Sequence, residues 1–260
     1  MQLRESIKHL TLRFLPNSLL QRLRLAHYAR KLARAAEEPE MRVIRHLLPA
    51  GGTALDLGAN FGLYARYLAD MVGSTGQVHS VEPVPTTFAV LVANVRRLGL
   101  SRVTAHHAAL SDRDGEVTMA VPVYAAGGAN YYEARVVDGA ATDGLRTVRV
   151  PARTLVGLFG ALPRIDFIKC DVEGHELNVL RGAESINQRH RPAWMIEVSG
   201  DLDWAGSTAE DVVRLMRKNG YAEYLLDGKR VRRRATGDRA VNYFFLRPEH
   251  IARLPLAMRS

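Results

Sequence analysis

The chain has 260 residues, 47 % of them hydrophobic, and a formal net charge of +9 from 36 basic and 27 acidic side chains. That composition excludes a disordered chain and fits one substantial globular domain with room for an extra segment. A single cysteine, Cys170, excludes an intrachain disulfide and a cysteine-based zinc site, and no run of about 18 apolar residues is present to cross a membrane.

Residues 1–36 differ from the rest, with eight Lys or Arg against one acid, Glu5. Leu3, Ile7 and Leu10, then Leu19, Leu20 and Leu23, recur at helical spacing, and Pro16-Asn17-Ser18 separates them. Two short basic amphipathic helices are expected. They either pack on the domain, the favoured reading, or lie on an anionic membrane surface as a peripheral contact. Charges interrupt every candidate apolar core of a secretory signal in "MQLRESIKHL", so cytoplasmic residence is the default, with the inner face of the membrane as the alternative.

From residue 37 onward the spacing predicts one domain, 37–260. A helix around Pro39 to Leu48 precedes apolar runs at 53–58, 77–82, 102–110, 165–172, 193–199 and 221–226, which read as strands. Helical patterns at Leu63–Val72, Thr86–Leu98, Glu176–Ser185 and Thr208–Asn219 lie between them. Such alternation predicts an α/β fold with a mostly parallel sheet covered on both faces. "DGEVTMAVP" and "RTVRVPA" break the rhythm and read as a β-hairpin inserted after the third strand, around a loop "YAAGGANYYE". The final run "VNYFFLRP" follows the basic turn "LDGKRVRRRATGDR" and is expected to pair as a hairpin with strand 221–226; the Arg-rich tip reads as a solvated face.

The segment "LDLGANFG" falls where the first strand must turn into a helix, the place where open parallel sheets bind ligands. Gly58 and Gly62 allow a tight turn and close backbone approach, and Asn60 tolerates positive φ between them. The spacing is not the G-x-G-x-x-G of dinucleotide sites. Asp56, an acid before the turn, suits a cationic group, and Glu82 at the end of the second strand is placed to accept hydrogen bonds from ribose hydroxyls. A nucleoside with a cationic tail fits both, and S-adenosyl-L-methionine is such a molecule.

The blocks "ALDLGANFGLYARYLA", "VHSVEPVPTTFAVLVANVRRLGL" and "IDFIKCDVEGHELNVLRGAE", with "PAWMIEVSG" and "VNYFFLRPEHI", resemble the FkbM family of S-adenosylmethionine-dependent methyltransferases over roughly residues 40 to 250. The resemblance implies a class I methyltransferase, Rossmann-like fold of seven strands with the last antiparallel. It also implies O-methylation of a hydroxyl on a sugar, glycolipid or polyketide-type natural product. Carried over, Asp56, Gly58 and Gly62 frame the methionine part of the cofactor, Asn60 shapes the loop and Glu82 holds the ribose. Ala109-Leu110-Ser111-Asp112 flanks the adenine, with Ser111 or Asp112 near its amino group and Val84 and Phe88 over its face.

Methylating an alcohol calls for a general base within hydrogen-bond reach, or a metal ion that acidifies the hydroxyl. "KCDVEGHE" offers candidates for both. Lys169 and Asp171 share a strand face; Asp171 is the leading base, Glu173 can assist, and Lys169 either pairs with Asp171 or orients the acceptor. Three oxygen donors, Asp171, Glu173 and Glu197, suit Mg²⁺, although acids at a helix start also serve simply as caps. His175 has the pKa range of a base. Neither His106 nor His107 has a ligand-like neighbour in sequence, and Cys170 reads as a buried thiol. Acceptor recognition is expected from Asn130, Tyr131 and Tyr132 in the insertion, with His175 and Glu197. Two readings compete with the small-molecule acceptor: an RNA methyltransferase, which lacks any basic patch interleaved with aromatics, and a catalytically silent membrane-associated scaffold.

Overall fold

The computed structural model describes residues 17–122, 134–137 and 146–260. In chain order these form α1 (Asn17–Arg34), α2 (Met41–Leu47), β1 (Thr53–Leu57), α3 (Leu63–Val72), β2 (Gln77–Val81), α4 (Pro85–Arg97), β3 (Val103–His106) and β4 (Ala109–Leu110). Then come β5 (Gly115–Val121), β6 (Arg135–Val137), β7 (Arg146–Arg153), α5 (Leu155–Phe159), β8 (Phe167–Cys170), α6 (Glu176–Arg181) and α7 (Glu184–Arg189). The chain ends with β9 (Ala193–Glu197), α8 (Thr208–Lys218), β10 (Ala222–Asp227), β11 (Arg230–Arg233), β12 (Asn242–Leu246) and α9 (Pro248–Ile251).

The main sheet has the order β11-β10-β12-β9-β8-β1-β2-β3. β3, β2, β1, β8 and β9 are parallel, and β12 runs antiparallel between β9 and β10. After β3 the chain returns to the far side of β1, so β1 and β8 flank the topological switch point where the crevice of an open sheet lies. Side chains alternate between two cores. Leu55, Leu57, Ile168, Trp194 and Phe245 pack with Phe159, Val179 and Met216 on one face. Ala54, Phe167, Met195 and Phe244 pack with Ile44, Leu47 and Leu68 on the other. All five residues of β1 are buried, as a central parallel strand covered on both faces requires.

Four expectations need correction. The sheet has eight strands, not seven, because the basic turn contains β11, which pairs with β10. Its arginines are not simply solvated: Arg232 bonds Asp227 and Asp238, and Arg234, with a side chain 4 % exposed, pairs with Asp203. The single helix expected over Glu176–Ser185 breaks into α6 and α7 at Gly182, where a Cβ would sit 2.4 Å from the Ser111 carbonyl oxygen. The insertion is also more than a hairpin: β5 pairs antiparallel with β7 and β6, and β4 joins β7, giving a second sheet of order β4-β7-β5-β6.

The first of the two expected N-terminal helices lies outside the described residues. α1, the second, packs on the domain: Leu25, Tyr28 and Leu32 meet Phe61 and Val90. The Tyr28 and Phe61 rings stack at 5.7 Å, and the Arg66 guanidinium donates to the Leu32 carbonyl at 2.8 Å.

Candidate active site

β1 ends in a turn with three left-handed residues, Gly58 (φ 74°), Asn60 (φ 51°) and Gly62 (φ 95°). Gly58 is obligatory for two reasons. Its φ disfavours any Cβ, and a Cβ there would fall 1.7 Å from the Asp171 carbonyl oxygen, where the loops after β1 and β8 touch. Gly62 caps α3 and packs against Leu91.

Glu82, just after β2, is the anchor of this turn. Its two carboxylate oxygens accept the backbone N–H groups of Asn60 (3.0 Å) and Val84 (2.9 Å). Burial pushes its pKa up to about 7. Each oxygen keeps a second acceptor position.

A cleft of about 590 Å³ opens over the turn. Gly58, Asn60 and Glu82 form one side, Pro83, Val84, Ala109 and Leu110 another, and Asp171, Glu173 and His175 close the β8 end. Met119, Ala134 and Val136 of the inserted sheet and its edge complete the wall. Sequence reasoning missed these three: the strand alternation was legible, but not the face that β5 and β6 turn toward the main sheet. Asn60 Oδ1 is buried in the cleft wall without a hydrogen-bond partner.

Asp56 does not line the cleft. It is fully buried beneath the turn, with Ser80 Oγ 3.5 Å from Oδ2 and Lys169 Nζ 3.9 Å from Oδ1. Burial raises its pKa to about 6. The β1–β8 register places Asp56 directly beside Lys169. Lys169 Nζ donates to the Gly58 carbonyl and to Asp171 Oδ2, both at 3.0 Å, and sits 5.2 Å from the centre of the Tyr64 ring. Burial works against its charge, but Asp171 and Asp56 outweigh burial and raise its pKa. Lys169 is therefore a fixed cation that ties the cofactor-side turn to Asp171.

After Asp171 two successive left-handed residues, Glu173 (φ 54°) and Gly174 (φ 91°), turn the chain out of the strand. Glu176 holds this loop by accepting the N–H groups of Val172 (3.2 Å) and Gly174 (3.0 Å). This is the capping role that the sequence offered as the alternative for acids at this helix start. His175 reaches the Ser111 hydroxyl with Nε2 at 3.2 Å, which joins the loops after β4 and β8.

Ser111 and Asp112 do not line the cleft. The Ser111 N–H donates to Arg153 and its hydroxyl to Asp112, and both residues border an adjacent recess under the inserted sheet. Phe88 stacks on His107 (4.8 Å), and His106 contacts His79 (3.1 Å) and Phe159. Cys170 is buried, and burial pushes its thiol pKa up. Asn130, Tyr131 and Tyr132 lie outside the described residues.

On the opposite side of Asp171 is a second recess, lined by Glu38, Glu40, Tyr64, Lys169, Glu197 and Asn242. Asp171 lines both spaces. Glu197 is half-buried, and burial and then Asp171 raise its pKa. Glu173 lines the cleft whereas Glu197 lines the recess, so the expected oxygen trio does not assemble. Among the described residues no group of three His, Cys, Asp or Glu side chains could hold a metal ion. The Mg²⁺ expectation does not fit this donor set.

Strand order, switch-point cleft and the acid after β2 are those of the class I methyltransferase fold. Residues 56–222 match the methyltransferase FkbM domain, well over half of the chain, and the chain belongs to the FkbM family. Methyltransferase 1 of Beauveria bassiana is 25 % identical over 150 residues, 52 % of this chain and 60 % of its own length. Hexuronic acid methyltransferase AglP of Haloferax volcanii is 29 % identical over 127 residues, 49 % of this chain and 48 % of its own length. The chain thus spans about half of the length of these curated relatives (60 % and 48 %). Among solved structures, a methyltransferase FkbM from Methylobacillus flagellatus KT aligns with a TM-score of 0.49 and 18 % identity, over 86 % of this chain and 59 % of that one.

The residues present fit S-adenosylmethionine. Glu82 has spare acceptor positions, Asn60 Oδ1 is an orphaned buried acceptor, and Val84, Ala109 and Leu110 offer an apolar wall.

Proposed function

We propose that this protein is an S-adenosylmethionine-dependent O-methyltransferase whose acceptor is a hydroxyl of a sugar or related polyol. The observation that carries this reading is that Asp171 lines both the cofactor cleft and the second recess, with a buried lysine fixed against it. The cofactor supplies an activated methyl group. Glu82 holds the nucleoside end, and Asn60 and the Gly58 backbone hold the amino-acid end. The acceptor sits in the recess, and Asp171, at the junction, takes the hydroxyl proton. Lys169 holds Asp171 in place through the hydrogen bond from Nζ to Oδ2. Glu173 and His175 shape the cleft wall at the same end. The sugar class draws support from the hexuronic acid methyltransferase among the relatives.

Calorimetric titration with S-adenosylhomocysteine tests the cofactor half. Micromolar binding is expected for the wild type and a loss of at least about tenfold for Glu82→Ala, the scale of one good charge-assisted hydrogen bond. No binding by the folded wild type would overturn the reading. With S-adenosylmethionine and a panel of monosaccharides, Asp171→Asn should lower S-adenosylhomocysteine production by about 10²–10⁴, the usual span for general-base removal. Transfer unchanged in that variant would remove Asp171 from the chemistry.

A further inference from the structure

The recess beyond Asp171 carries an imbalance of charge. Four carboxylates line it, Glu38, Glu40, Asp171 and Glu197, and Lys169 is the only cation among its described lining residues. That cation is not available to a ligand: its Nζ is held by Asp171 at 3.0 Å and by the Gly58 carbonyl at 3.0 Å, with Asp56 behind it at 3.9 Å. Asp56 is itself fully buried with Oδ1 lacking a hydrogen-bond partner, so its charge is balanced by the same lysine. Tyr64 donates to Glu38 and Asn242 donates to Glu40 (3.2 Å), which fixes both carboxylates as part of the wall without neutralising them.

We propose that the acceptor bears a protonated amine beside the methylated hydroxyl, as an amino sugar does, and that Glu38 and Glu40 select it. This rests on the assignment of the recess as the acceptor site. An ammonium entering the recess meets four carboxylates, whereas a carboxylate would be placed against like charges, with Lys169, the one cation among the described lining residues, already held by Asp171. Neutral sugars lie between. Selection by Glu38 and Glu40 also places specificity in the α1–α2 connection, outside the matched residues 56–222.

The test measures binding of three probes, glucosamine, glucose and glucuronate, to protein saturated with S-adenosylhomocysteine, by saturation-transfer NMR with calorimetry for affinities. Glucosamine should bind about tenfold tighter than glucose, and glucuronate weaker than both. In Glu38→Gln/Glu40→Gln the glucosamine advantage should shrink to within about threefold, while S-adenosylhomocysteine affinity, which reports the intact fold and cofactor cleft, stays as in the wild type. Glucuronate binding as well as glucosamine, or glucosamine no better than glucose in the wild type, overturns the proposal. Failure of S-adenosylhomocysteine itself to bind would instead overturn the methyltransferase reading, so the two failures are distinguishable.

Discussion

Gly58 and Glu82 show how single residues carry this site. Gly58→Ala combines a left-handed backbone, which costs a side chain about 1–3 kcal/mol, with a direct collision against the Asp171 carbonyl. The expected result is a fall of that order or more in urea-unfolding free energy, together with loss of S-adenosylhomocysteine binding. Retained affinity with normal stability would mean the two loops are not in contact. Glu82 supplies a pH signature. Its carboxyl titrates near 4.5 when unfolded and near 7 when buried, so between those values the folded state holds the extra proton and stability falls as pH rises. Asp56 adds the same sign between 3.8 and about 6. Burial lowers the pKa of His79 and His250 to about 4, and both contribute with the opposite sign below about 6.5. The Glu82 contribution is therefore read as a difference: the gap in unfolding free energy between wild type and Glu82→Gln should narrow from pH 5 to pH 8. Hydroxyls that donate to Glu82 favour its ionised form, so S-adenosylhomocysteine should bind more tightly at pH 8 than at pH 6. The turn "DLGAN" and the acid at 82 were legible because glycine, asparagine and carboxylate chemistry are local properties. That Asp56 faces Lys169 rather than the cleft was not legible, because it depends on the β1–β8 pairing of residues 113 positions apart.

At the scale of elements, helices and strands follow the hydrophobic period, and the departures have tertiary causes. α1 is a basic helix for which packing on the domain was the favoured expectation, and Leu32, 1 % exposed, packs with Phe61 and Val90. Leu32→Ala should cost about 2–5 kcal/mol, as large-to-small core changes do, measured by equilibrium unfolding. A change below about 0.5 kcal/mol, typical of surface positions, would show that α1 is not part of the packed fold in solution. The break between α6 and α7 has no strong signal in sequence beyond Gly182 itself. It is needed because the helix passes so close to the Ser111 carbonyl that no side chain fits. β11 was hidden by its composition: "RVRR" reads as a charged turn, and it is a strand through its antiparallel pairing with β10, with Arg232 paired to Asp227 and Asp238. The inserted sheet was visible as alternating strands, but its use as a wall of the cleft follows from where β4 and β7 pair, beyond the end of β3.

For the whole molecule, a ligand that binds only the folded state must stabilise it. At 100 times its dissociation constant, S-adenosylhomocysteine should add about 2.7 kcal/mol and raise Tm by about 5–11 °C for a domain of 150–250 residues, at about 2–4 °C per kcal/mol. A scanning calorimetry trace unmoved by ligand would contradict the cofactor cleft. Sequence by itself determined the alternation of strands and helices, the buried central strand, the glycine turn and the acids that follow it, since each is written in residues close along the chain. Tertiary structure alone decided which side chains share a space. The crossing from β3 back beside β1 sets Asp171 against Gly58 and divides Glu173 from Glu197, and the packing of the α1–α2 connection brings Glu38 and Glu40 to the recess beyond Asp171. No local pattern encodes those meetings, because they arise from the order of strands in the sheet.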